Sequence, residues 1–67
     1  NSGSIFFFFK ANKIAEIQIF DAGGRLLNIS KPNDHKFSIE KSKFDKGLLI
    51  FKINLKDKAT TKKFLLK

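Results

Sequence analysis

The chain has 67 residues, enough for one small domain and too few for two, and at this size folding buries only about 60% of the unfolded surface. Its 42% hydrophobic content, with 9 phenylalanines, is that of a folded module and too high for a disordered tail. Without cysteine, and with a single histidine, disulfide and structural-zinc staples are excluded, while the net charge of +8 makes an anionic partner physically reasonable.

The chain opens on Asn1, which suggests a piece of a longer protein. The longest apolar run, residues 5–9, is far short of the roughly 20 residues needed to span a bilayer, so no transmembrane helix is expected. No basic segment precedes that run and it is too short for a signal-peptide core, so no such leader is expected either.

Apolar segments separated by turn signals, rich in β-branched and aromatic residues, predict strands throughout and no long amphipathic helix. Residues 4–10 are almost pure Ile and Phe, the pattern of a strand covered on both faces or resting on a neighbour beyond the chain. In residues 15–21, Ile17 and Ile19 share one face and Glu16 and Gln18 the other, with Phe20 as an exception. Asp21-Ala22-Gly23-Gly24 reads as a hairpin turn, with Asp accepting from turn amides and Gly supplying a positive φ.

Residues 25–30 form the third expected strand. Residues 31–34, Lys-Pro-Asn-Asp, read as a second turn. Phe37 and Ile39 face one way in residues 35–40, and the polar stretch 41–46 is a connection anchored by Phe44 and ended by Gly47. The strongest strand is 48–55, with Leu49, Phe51, Ile53 and Leu55 on one face, Lys52 and Asn54 on the other, and Leu48 and Ile50 covering that second face near its start. After a turn at 56–59, residues 60–67 close the set, with Phe64 and Leu66 inward. About six to seven short strands, with a turn every 8–12 residues, predict a small all-β antiparallel sandwich.

Four motifs follow one another in this chain: Ile17-Gln18-Ile19-Phe20-Asp21, then Gly24-Arg25-Leu26-Leu27, then residues 44–53, Phe-Asp-Lys-Gly-Leu-Leu-Ile-Phe-Lys-Ile, and finally Thr61-Lys62-Lys63-Phe64-Leu65-Leu66-Lys67. In contents, order and spacing, from Ile14 to Lys67, the chain resembles the C-terminal sorting domain of the type IX secretion system, the Por secretion tail of type A. Two departures stand out: the Asn-Pro pair that usually opens the family's first strand is absent, which implies a truncated or divergent start, and Leu49 stands where Tyr is common.

The resemblance implies an immunoglobulin-like β-sandwich spanning residues 1–67 as a single C-terminal sorting domain, an address without catalytic activity or cofactor. It also implies a fused N-terminal cargo, passage through the periplasm, recognition by the type IX translocon and its sortase-like processing machinery, and delivery to the cell surface or the medium, usually with cleavage of the tail. The motif positions carried over are Asp21, Gly24, Arg25, Gly47, Lys52, Lys62, Lys63 and Lys67.

The residues themselves also admit plainer roles. Asp21, Gly24 and Gly47 are turn formers by chemistry. Lys62, Lys63 and Lys67 fit a solvated strand face, where lysines guard an edge against strand-on-strand pairing. If recognition occurs at the last strand, it has two physical routes: backbone pairing with a receptor sheet, or ammonium groups meeting an acidic surface.

An alternative keeps the fold and makes it a small basic module for nucleic acid or a surface polysaccharide. Nucleic acid is disfavoured because all basic residues but Arg25 are lysines, spread along the chain, and most Phe residues are needed by the core. Sugar platforms rely on Trp and Tyr, both absent. His35, beside Asp34 and Ser38, does not make a catalytic triad, no metal-ligand cluster exists, and Gly23-Gly24 lacks the helix that follows a phosphate loop. Asn28-Ile29-Ser30 matches the glycosylation sequon, too short a pattern to carry weight.

Overall fold

A computed structural model describes residues 3–67. Strands form where the alternation and β-branched content demand them: β1 (Ser4–Phe8), β2 (Ile14–Asp21), β3 (Leu26–Ser30), β4 (Lys36–Glu40), β5 (Gly47–Leu55) and β6 (Ala59–Leu66), with one 3-10 turn at Lys41–Lys43. They build two antiparallel sheets, β1-β4 and β3-β2-β5-β6. The chain changes sheet after β1, β3 and β4, which gives a small all-β antiparallel sandwich.

The core lies between the sheets. β5 contributes Leu49, Phe51, Ile53 and Leu55 to it, all buried, and β2 adds Ile14, Ile17 and Ile19. The small sheet answers with Ile5 and Ile39, and its Phe7 ring meets Phe51 edge-on at 5.0 Å between centroids. Each such side chain, moved from water to the interior, stabilises by about 1.5–3 kcal/mol.

Two bulges let the sequence meet this geometry. Ile14 and Ile17 are three apart, so strict alternation would put them on opposite faces. The register shifts by one between Ile14 and Glu16 opposite β5, and both become fully buried. A second shift, opposite Ile19 and Phe20, inserts Leu27 into β3 and turns it toward the core.

Three sequence expectations change. The first strand ends at Phe8, and only one of its faces is covered by this chain: Ile5 is buried, while Phe6 and Phe8 are 59% and 60% exposed. The third strand begins at Leu26, because Arg25 closes the preceding hairpin. The segment 31–34 carries the chain from the edge of one sheet to the other, with Asn33 at φ 49°.

His35 has a structural task that its position beside a turn did not reveal. The Phe9 N–H donates to the His35 carbonyl at 2.8 Å, and His35 Nδ1 lies 2.9 Å from the Phe9 carbonyl oxygen, extending the β1-β4 ladder by one pair.

Phe51→Ala is expected to remove about 3–5 kcal/mol in urea unfolding, a large share of what a domain of this size possesses. Ile53→Val should cost about 0.5–1.5 kcal/mol and leave a measurable folded population, whereas Phe8→Ala should stay within about 0.5 kcal/mol because that ring is mostly in water.

Candidate functional site

The motif residues separate into three groups once the chain is folded. Asp21, Gly24 and Arg25 form the β2-β3 hairpin. Asp21 Oδ1 accepts from the backbone N–H of Gly23 at 3.0 Å and of Arg25 at 2.9 Å, and the Asp21 carbonyl accepts from Gly24 N–H at 3.0 Å. Gly24 occupies φ 88°, where a side chain would be strained although nothing crowds the site. Arg25 Nε approaches Asp21 Oδ2 at 3.2 Å, an exposed ion pair of small energetic weight. The Arg25 N–H hydrogen bond, helped by Gly23 N–H and the guanidinium and opposed by partial desolvation, holds the Asp21 carboxyl below its usual value.

Gly47, at φ 135° and more than twenty residues along the chain, comes to the same end of the sandwich. Asp21, Arg25, Lys43, Phe44, Lys46 and Gly47 line a shallow depression of about 270 Å³ there. The 3-10 turn, whose Lys41 carbonyl accepts from Phe44 N–H at 3.1 Å, sets Phe44 against the core, Lys43 in solvent and the half-buried Lys41 with its Nζ 5.5 Å from the Phe64 ring centroid.

Lys52 and Lys63 form the second group, on the outer face of the four-stranded sheet. Cross-strand partners share a face, and the register aligns Leu26, Phe20, Ile50 and Lys63 in one row and Ile29, Gln18, Lys52 and Thr61 in the next. Leu48 and Leu65 continue the apolar side of this surface. Leu26, Ile29 and Leu65 are 49%, 50% and 59% exposed, and Lys52 Nζ lies 5.0 Å above the Phe20 ring centroid. Lys52 is therefore a cation–π partner as well as a solvent-facing charge.

Lys62 and Lys63 do not share a face. Lys62 pairs with buried Phe51 and so projects on the core side of β6, where it is nonetheless exposed; Lys63 pairs with Ile50 and projects outward. Lys67 is exposed just beyond β6. The apolar outer face is the feature that sequence reading missed as a unit. Its signals were the unexplained Phe20 and the second-face Leu48 and Ile50, which register alone brings beside Leu26 and Leu65.

A second depression, of about 620 Å³, lies at the opposite end beside Asn12, His35 and Lys56. Among the described residues, no group of three His, Cys, Asp or Glu side chains converges as a metal site, and no helix is long and apolar enough to cross a membrane.

Gly24→Ala is expected to destabilise by about 1 kcal/mol through strain alone. Asp21 works in the opposite sense to a raised group: its lowered pKa makes its contribution complete above the unfolded value of about 3.9 and lost as pH falls through the folded value. Urea midpoints should therefore fall more steeply with acid in the wild type than in Asp21→Ala, while the variant is the less stable of the two at pH 7. Equal acid slopes would remove the hairpin carboxylate from the account.

No curated protein and no solved structure shows significant similarity to the chain. The family model of DUF8694, a domain of unknown function, matches residues 1–66, and the chain belongs to that family.

Proposed function

We propose that this domain is a C-terminal address of the type IX secretion kind, carried by a larger cargo and read by the export machinery. The observation that carries the reading is the ordered run of motifs from Ile17 to Lys67, set in a two-sheet antiparallel β-sandwich. The fold supports it in one further respect. Asp21, Arg25 and Gly47, which belong to separate motifs, line one end of the domain, where a receptor can touch them together.

Under this reading the hairpin end and the outer sheet face are the surfaces offered to the translocon, and the two turn glycines hold them in shape. The domain is in the periplasm during transit and afterwards at the cell surface or in the medium, where processing machinery separates it from the cargo. The rival reading, an anionic polymer as ligand, calls for cations gathered on one stripe. Here they are dispersed: Lys62 and Lys63 project from opposite faces of β6, Lys43 and Lys46 sit at one end, and Lys56 lines the depression at the other.

The test is transfer of the address. A periplasm-directed fluorescent reporter carrying residues 1–67 at its C-terminus should reach the surface or medium in type IX-competent cells and stay periplasmic in matched deficient cells. Arg25→Glu combined with Lys63→Glu should reduce export while leaving the circular dichroism of the isolated domain unchanged. A folded fusion retained in the periplasm of both strains would sink autonomous sorting.

A further inference from the structure

Two sheets of two and four strands leave four edges, and three of them carry a device against pairing with another chain. The β6 edge has Lys62 and Lys63 at mid-strand, the β4 edge has Lys36 and Glu40, and the β3 edge is broken by the Leu27 bulge. β1 has none: its sequence is Ser-Ile-Phe-Phe-Phe, without charge, proline or bulge.

The ladder shows which backbone groups that edge offers. The Phe9 N–H bonds to the His35 carbonyl and the Lys41 N–H to the Gly3 carbonyl, which are two rungs of a single register running through Ser4↔Glu40 and Phe8↔Lys36. Hydrogen-bonded pairs alternate along an antiparallel ladder. The odd-numbered residues of β1 therefore bond to β4, and the N–H and C=O groups of Ser4, Phe6 and Phe8 point away from it.

We propose that the free edge of β1 accepts an extended segment of another polypeptide as a third strand of the small sheet, with a carboxylate in that segment facing Lys62. The position of the edge argues for this occupant. Phe7 rests on Phe51 of β5, and Asp34, just before β4, bridges to Ile14 of β2. β1 thus passes over β5 at Phe7, with β4 on the β2 side at its Asp34 end, and the space beyond the middle of β1 lies over the Lys62 part of β6.

The core side of β6 there presents exposed Lys62, with no anion paired to it in the described structure, while half-buried Phe64 is already met by Lys41, whose Nζ lies 5.5 Å from its ring centroid. An added strand would lay an acidic side chain near Lys62 through an inward position. Its outward positions would sit beside Phe6 and Phe8, where β-branched or aromatic residues pair well.

A second folded copy does not fit the same edge. The two-fold axis relating two antiparallel β1 strands stands perpendicular to the sheet, so both four-stranded sheets would lie on one side and the two β6 strands would compete for one space. Two copies each at +8 also repel. The proposal rests on the edge itself and not on the sorting reading, so either can fail alone.

The probe is a blocked synthetic peptide of alternating valine and threonine with a central glutamate, added to the isotope-labelled domain and followed by amide shifts. A matching peptide with central lysine, and one N-methylated at alternate residues, serve as controls. The expected result is saturable binding that shifts the amides of Ser4, Phe6 and Phe8, is about tenfold tighter for the glutamate peptide than the lysine peptide, and is lost on N-methylation.

Lys62→Glu, at an exposed position, should reverse the preference between the two charged peptides. Absence of saturable binding, shifts confined to β3 or β6, or a preference unmoved by Lys62→Glu would each overturn the proposal. So would a wild-type dimer in sedimentation that Phe6→Lys converts to monomer, because that result assigns the edge to a second copy.

Discussion

Everything in this molecule is arranged around the inner row of β5. Leu49, Phe51, Ile53 and Leu55 form the floor on which the two-stranded sheet rests, and the Phe7–Phe51 contact joins the layers near the middle of that floor. With no cysteine to form a disulfide, the domain depends on apolar burial to offset the conformational entropy of ordering its chain. The small sheet has only four inward positions within paired strands, so each of Ile5, Phe7, Phe37 and Ile39 carries a large part of that closure.

That economy explains the irregularities. A flawless alternation along β2 would leave Ile14 in water, and an unbulged β3 would leave Leu27 outside the core; in each case one extra residue in the strand brings a side chain inward. The β2-β3 hairpin is held by backbone and Asp hydrogen bonds and not by further burial, whereas the 41–46 connection is anchored by Phe44 against the core. Among the described residues, no buried side-chain polar atom lacks a partner, so the core is free of the desolvation costs that would overwhelm so small a fold.

The surface is where apolar residues exceed what a solitary domain needs. Three features are presented to solvent: the Leu26, Ile29 and Leu65 side of the large sheet, the Phe6 and Phe8 side of the small one, and the open edge of β1. Apolar surfaces of this kind suit recognition by a partner, and the lysines interspersed among them favour an acidic one. The two proposed roles, address and strand acceptor, are compatible because they would use different parts of the sandwich.

Sequence periodicity alone was sufficient for the number and approximate limits of the strands, the inward row of β5, the inward Phe37, Ile39, Phe64 and Leu66, and the hairpin built on Asp21 and Gly24. These depend on period-two alternation and on local turn chemistry, which are properties of adjacent residues. Of the motif positions, the grouping of Asp21 and Gly24 was legible for the same reason, whereas Arg25 was assigned to the third strand. Their meeting with Gly47, the placement of Lys62 and Lys63 on opposite sides of a sheet, and the union of Phe20, Ile50 and Leu65 into one outer surface were not. Those features are set by which strands pair and in which register, and a shift of one residue would exchange the two faces of a strand. The uncovered Phe6 and Phe8 follow the same rule: four phenylalanines in succession must divide between two faces, and only the tertiary structure decided that this chain covers one of them.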